Sequence, residues 1–372
     1  MIENGRWVAH RPERTGHAGF HISALYSLQP NARWSVIARE FLERKDFPDR
    51  LQTFVNTTLG ETWEPPADRE IDEYALMARR EVYAAEVPDG VALLTMGVDT
   101  QPDRLEAEIV GWGWDEESWS IDHQVLPGDP NERDVWERLD AIRLKTWRCA
   151  DGRQLKVDAA CVDTGGHNTQ AAYRYGIERV SQNVWPIKGR GKRSGANAAQ
   201  RGLVFQGRPK SQRRKAQTSP YLVDVDTAKD TIFPRLAKEP PGPVTCHFPA
   251  HYERAYFDQL TAEKPVKEVV HGQTVWRWHR KSGRNNEALD LRVYAYAALC
   301  ALQQAGVKLN EHAQRVGATR PQDREPIQYA KDTAGPVQAA PEMPQRPPEQ
   351  PTQPRRKKRR RRKRGRAMQM SM

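Results

Sequence analysis

Three aspartates sit where a sequence can hold a side chain rigidly. Asp99 closes the apolar run VALLTMGVDT, Asp163 closes LKVDAACVD before the turn TGGHN, and Asp290 follows Glu287 by three residues in NNEALDLRVYAYAALCALQQAG. Apolar runs of this length bounded by turn residues predict strands, and a charged group at a strand end must face water or a metal. Each acid also has an ordinary reading. Asp163 suits a turn or a helix cap. Asp290, turned roughly 100° from Leu289, stands at the edge of a helical core stripe of Leu289, Val293, Tyr296 and Cys300, where an acid is usually solvated. Together they come from two strand ends and one packed helix, and open α/β sheets place their sites at strand carboxyl ends. Oxygen-only donors with no Cys or His pair suit Mg2+ or Mn2+ rather than zinc. Two such ions about 4 Å apart would position a water and stabilise the leaving oxygen in phosphodiester hydrolysis.

The elements that must carry these acids follow from the pattern around them. Val91 to Trp114 reads as a hairpin of two strands, and SWSIDHQVL as a third strand. RDVWERLDAIRLKTW predicts a helix with Val135, Leu139 and Ile142 on one face, and TQAAYRYG a helix ended by Gly176. NVWPIKG is a strand, and PYLVDVDTAKDTIFPRLAKEPPG a strand followed by a helix. In the last helix Ala295, Ala297 and Ala298 allow close packing on a sheet, which would bring Asp290 towards the strand ends. Hairpin strands followed by alternating strands and helices predict an α/β fold, a mixed sheet with helices on both faces. Upstream, residues 1–63 contain a short helical segment with Ile37, Phe41 and Leu42 at helical spacing and Ser35 opening it. Residues 64–90 read as a Pro-bounded helical linker, 91–308 as the main domain, and 309–372 as a disordered Pro/Gln-rich and polybasic tail.

The formal net charge is +11, yet eleven basic residues lie between Arg355 and Arg366 with no acid beyond them, so the preceding chain is formally neutral. Any nucleic-acid contact in the folded part must therefore be local. Cys149, Cys161, Cys246 and Cys300 form no Cys-x-x-Cys pair, which argues against a thiolate zinc site and fits reduced thiols. There is no apolar run long enough for a membrane span, and the start MIENGRWVAH lacks the apolar core of a signal peptide. The Gly-rich basic stretch Lys188 to Ser219 is either a solvated loop or a flap tracking phosphates through Lys188, Arg190, Lys192 and Arg193. Lys229 could hold a scissile phosphate or pair with Asp226 or Asp230, and Asp224 has no evident role. His167 reads as a turn residue before a metal or DNA contact. Trp112, Trp114, Trp276 and Trp278 suit sheet packing better than base stacking.

GFHISALYS, AREFLERKD, LQTFVNTTLGETWE, MGVDTQPDRLEAEIVGWG, VDTGGHNT, VDTAKDTIFPRL and RNNEALDLRVYAYAAL occur in order from about Gly16 to Gln304. This series resembles the large subunit of lambda-type (GpA-type) phage terminases. The resemblance implies a DNA-packaging motor in which an ATPase precedes an RNase H-like nuclease that cuts concatemeric double-stranded DNA. It implies that Asp99, Asp163 and Asp290 are the catalytic, metal-binding acids of that nuclease, with Mg2+ or Mn2+ as cofactor. It also implies a terminase small subunit and a portal protein as partners, the latter through the C-terminal tail, with action in the host cytoplasm. One departure stands out. No G-x-x-x-x-G-K-[ST] occurs, and GRGKRSG near Gly189 has neither its spacing nor its strand-to-helix setting. Residues 1–63 resemble only the end of the motor domain, so the expectation is a nuclease half whose ATPase is a separate chain or lost. The competing readings are a non-catalytic DNA- or portal-docking module, and another RNase H-like enzyme such as a resolvase or transposase.

Overall fold

The computed structural model describes residues 6–9, 12–13, 15–16, 18–63, 71–165, 169–191, 203–208, 219–270 and 273–330. Lys192, Arg193, His167 and the basic tail lie outside the described residues. The strands are β1 (Arg80–Glu81), β2 (Val91–Thr100), β3 (Arg104–Gly113), β4 (Ser118–Pro127), β5 (Trp147–Arg148), β6 (Gln154–Leu155), β7 (Val157–Asp163), β8 (Val184–Arg190), β9 (Phe205–Gly207), β10 (Tyr221–Asp224), β11 (Cys246–Pro249), β12 (Glu263–Val270) and β13 (Gln273–Arg280). The helices are α1 (Trp34–Arg44), α2 (Pro48–Phe54), α3 (Glu73–Ala78), α4 (Arg133–Leu144), α5 (Thr169–Glu178), α6 (Val225–Leu236), α7 (Arg254–Leu260), α8 (Glu287–Gln304) and α9 (Leu309–Val316).

Nine strands form one mixed sheet in the order β1-β11-β4-β3-β2-β7-β8-β10-β9. β2, β3 and β4 are antiparallel neighbours, while β7, β8 and β10 continue from β2 in parallel. β2 is buried at all ten positions, as a central strand covered on both faces must be. Alternation sorts its side chains. Leu94, Met96 and Val98 pack with Val135 and Leu139 of α4 and Ala172 of α5. The opposite face packs against α6, α7 and α8 through Leu93, Ala159, Cys161 and Ile187. The fold is thus the mixed α/β sheet flanked by helices that the sequence predicts, and it is consistent with an RNase H-like architecture.

Several boundaries differ from the sequence reading. Gly176 does not end its helix: α5 runs on to Glu178, and a Cβ at Gly176 would sit 2.8 Å from Pro186 Cδ, so the glycine serves close packing. Ser35 does not cap α1, whose N-cap is Arg33 with no side-chain bond. Part of the basic stretch is a strand, β9, with Phe205 against Trp185 at 5.6 Å. Order continues past Leu309: α9 is followed by a segment in which Gln328 accepts from the Val82 amide and the Ala330 amide donates to Arg80 at the β1 edge. Among the described residues no helix is long and apolar enough to cross a membrane.

Candidate active site

Positioning begins with register. Val98 pairs with Val162 across the parallel β2 and β7, so Asp99 and Asp163 occupy the next level on neighbouring strands. Asp163 in turn pairs with Ile187 of β8. Alternation puts Asp99 on the same face as Thr95 and Gly97, and Asp163 on the same face as Cys161. That face is covered by α8. Thr95 Oγ1 donates to the Ala295 carbonyl (2.9 Å) and itself accepts from Trp112 Nε1 (2.7 Å). Gly97 permits the approach, since a Cβ there would fall 2.0 Å from the Leu291 carbonyl oxygen. With Ala295 over Thr95 and Leu291 over Gly97, the first turn of α8 lies over the carboxyl end of β2. Asp290 and Glu287 occupy that turn.

The three aspartates share one electrostatic environment. Burial pushes the Asp163 carboxyl up to about 7, with Asp99 adding to the rise against the Gly165 and Thr164 amides and Lys188. Burial likewise pushes Asp290 up to about 7; Lys229 opposes this, while Glu263, Asp99 and Asp163 add to it. Asp99 is raised by burial first and by Glu106 and Glu287 next, against a hydrogen bond from Gln101. Asp99 and Asp163 are 6% and 8% exposed, whereas the Asp290 side chain is 25% exposed and better screened by solvent. Tyr294, one turn after Asp290, is pushed up by burial and then by all three aspartates.

Neighbouring groups fix the constellation. Thr100 Oγ1 donates to the Asp163 carbonyl (3.1 Å), tying the two strand ends together. The Gly165 amide donates to Asp163 Oδ2 (3.0 Å). Asn286 Nδ2 donates to Asp290 Oδ2 and to Glu263 Oε1, both at 2.9 Å. Lys229 is buried, with Nζ 2.7 Å from Glu263 Oε1 and 3.8 Å from Asp290 Oδ1. The ion pair of Lys229 is therefore with Glu263, and Asp230 instead accepts from Trp278 Nε1 (3.0 Å). Asp224 now has a role: it caps α6, Oδ1 accepting from the Thr227 amide (2.9 Å). Lys188 is exposed and Arg190 half-buried at the end of β8, on the same sheet edge. Glu263, Asn286 and Tyr294 were missed by sequence reasoning. Asn286 and Tyr294 lie within the helix-opening run already singled out, but Glu263 has no local signal because its strand comes from a separate hairpin.

Among the described residues, no group of three or more His, Cys, Asp or Glu side chains stands close enough, as placed, to hold a metal ion. By chemistry the corner nevertheless fits a hard divalent cation. Its donors are carboxylate oxygens, Asp99 adds to the raised pKa of both Asp163 and Asp290, and Glu287 Oε2 is buried with no hydrogen-bond partner. A cavity of about 1360 Å3 lies elsewhere, lined by Leu51, Leu76, Phe233 and Tyr296, and includes none of the three aspartates.

Comparison with known proteins gives the family. Residues 17–311 match the family described as "Terminase large subunit gpA, endonuclease domain". The chain is 37% identical over 289 residues to the terminase large subunit of Escherichia phage lambda. It is 35% identical over 291 residues to that of Enterobacteria phage P21. Each match covers 75% of this chain but 43% of the relative, so the chain spans less than half the length of the curated relatives it matches. With the matched region running through β2, β7 and α8, which carry the three aspartates, the chain belongs to the gpA endonuclease-domain family of terminase large subunits.

Proposed function

We propose that this chain is the metal-dependent endonuclease part of a phage packaging terminase and cuts concatemeric double-stranded DNA. The observation that carries the reading is that Asp99 and Asp163 share one face of the sheet under the first turn of α8, which carries Asp290, and that burial raises all three pKa values while Asp99 adds to the rise at Asp163 and Asp290. In this reading the three aspartates hold Mg2+ or Mn2+, which when bound would activate water and stabilise the leaving oxygen. The chain's own groups set up that chemistry. Gly165 and Asn286 orient Asp163 and Asp290 by hydrogen bonds. Gln101 orients Asp99. Lys229, held by Glu263, favours the ionised Asp290 and acts as a positioning residue. In this reading Lys188 and Arg190, in β8, meet the phosphates of the substrate, with Lys192 and Arg193 following in sequence. The proposed partners are duplex DNA, a terminase small subunit, a portal protein reached by the basic tail and a separate ATPase chain, all in the host cytoplasm.

The test is nicking of duplex DNA in Mn2+ by the purified chain and by Asp99→Asn, with thermal melting of both. Asp99→Asn keeps the side-chain shape and removes its charge, so it should fold and fail to cut. Full cleavage by a folded Asp99→Asn protein would refute the assignment, and a folded wild-type chain that leaves the duplex uncut would favour the docking reading.

A further inference from the structure

β12 and β13 form a two-stranded ribbon paired along its full length, from Glu263↔Arg280 to Val270↔Gln273, and separate from the main sheet. Directly opposed residues share a face. One face therefore carries three successive rungs: Glu263 with Arg280, Pro265 with Trp278, and Lys267 with Trp276. The first rung is rooted in the candidate site, because Asn286 donates to Glu263 and accepts from Arg280 Nη1 (3.3 Å) while also donating to Asp290. The second is anchored on α6, where Trp278 packs 4.4 Å from Phe233 and donates to Asp230. The third faces outward. Trp276 is 43% exposed, with Lys267 Nζ 5.8 Å over its ring. On the opposite face Glu268 takes Arg277 (2.9 Å) and His279 (2.8 Å).

We infer that the face bearing Arg280, Lys267 and Trp276 is a contact surface for duplex DNA, leading the backbone away from the carboxylates. This rests on the nuclease reading above. Charge complementarity selects the partner. The stretch from Glu263 to Arg280 carries Lys264, Lys267, Arg277 and Arg280 against Glu263 and Glu268; Lys229 holds Glu263 and Arg277 holds Glu268, so Lys264, Lys267 and Arg280 give the ribbon its positive charge. Four residues at about 3.4 Å each place the outer rung ~14 Å from Arg280, roughly four base steps along one strand at 3.4 Å per step. A two-stranded ribbon is the width a major groove admits. The exposed indole supplies a flat face for sugar or base, and Lys267 beside it supplies the charge.

The test measures binding of the full chain to a labelled duplex of about 30 base pairs in EDTA, over a salt series, so that no cutting intervenes. Lys267→Gln combined with Arg280→Gln should reduce the log–log salt slope by about 1.8. Trp276→Ala should weaken binding about five-fold or more with little change in slope. Lys308→Gln, which removes an exposed charge on α9, should leave both unchanged. Lys267→Gln and Trp276→Ala alter exposed side chains, so their melting temperatures should match the wild type and their binding decides the matter even if Arg280→Gln is unstable. An unchanged affinity and slope in the Lys267→Gln, Trp276→Ala double variant, with wild-type cleavage in Mn2+ intact, overturns the ribbon assignment alone. A wild-type chain that neither binds duplex nor cuts it overturns the nuclease reading as well.

Discussion

Neutralising Asp163 should stabilise the metal-free protein, and only above mildly acidic pH. The carboxyl is pushed from an ordinary 3.8 to about 7 in the fold. The folded state thus prefers the protonated form. Its contribution is neutral below about pH 4, becomes unfavourable as pH rises towards 7 while the unfolded chain ionises first, and is constant above that. Three pKa units correspond to about 4 kcal/mol. Coupling to Asp99 divides the shift between the two groups, so about 1–3 kcal/mol is the usable figure. Asp163→Asn retains an oxygen for the Gly165 amide and removes the charge. Melting in EDTA should therefore show Asp163→Asn about 2–6 °C above wild type at pH 8, at roughly 2 °C per kcal/mol for a chain of this size, and no gap at pH 4. Added Mn2+ should raise the wild type and not the variant. Equal melting temperatures at pH 8, or a gain independent of pH, would refute the account of a buried Asp163 carboxyl raised further by Asp99.

Gly97→Ala should destabilise by about 3 kcal/mol or more and displace the first turn of α8, since overpacking against backbone cannot relax; melting and loss of cleavage together check it. Lys229→Met leaves Glu263 buried without its cation and should cost about 3–5 kcal/mol, most of it recovered by adding Glu263→Gln; denaturant titration of the two variants decides this. Deleting residues 351–372 should flatten the salt dependence of DNA binding by up to about 10 log–log units while leaving cutting intact; an unchanged slope removes the tether and leaves portal docking. The chain is expected not to hydrolyse ATP, since no G-x-x-x-x-G-K-[ST] occurs in its sequence; turnover above a heat-treated control would refute this.

The aspartates at the ends of β2 and β7 were legible because period and turn chemistry are local. VALLTMGVDT and VDAACVDTGG announce buried strands stopped by an acid. The position of Asp290 was legible in part, because alanines in α8 signal close packing. What made that packing close was Gly97, whose need appears only once Leu291 lies over it. Glu263 was invisible for a different reason: its place beside Asp290 depends on where a separate ribbon roots, and no spacing in one strand encodes that. Asp224 looked like a surplus acid because a cap at a strand-to-helix junction resembles any other strand-end carboxylate until the Thr227 amide is seen to point at it. The segment after Leu309 reads as polar because its few anchors, Leu309, Ala313 and Ala318, are small or isolated, yet all three are buried.

That closing segment has a consequence for synthesis. Arg80 and its hydrogen-bond partner Ala330 are separated by about 250 residues, and Arg324 must reach back to Glu117 (2.8 Å), which also holds His247. A ribosome therefore releases the acid-bearing strands long before β1, the border strand of the same sheet, is covered. Until residues 328–330 emerge, β1 presents an open edge to neighbouring nascent chains, the condition under which sheets pair with strangers. A shortened product ending near Leu309 would keep the carboxylates and lose this cover, so its first defect would be insolubility rather than a missing active site.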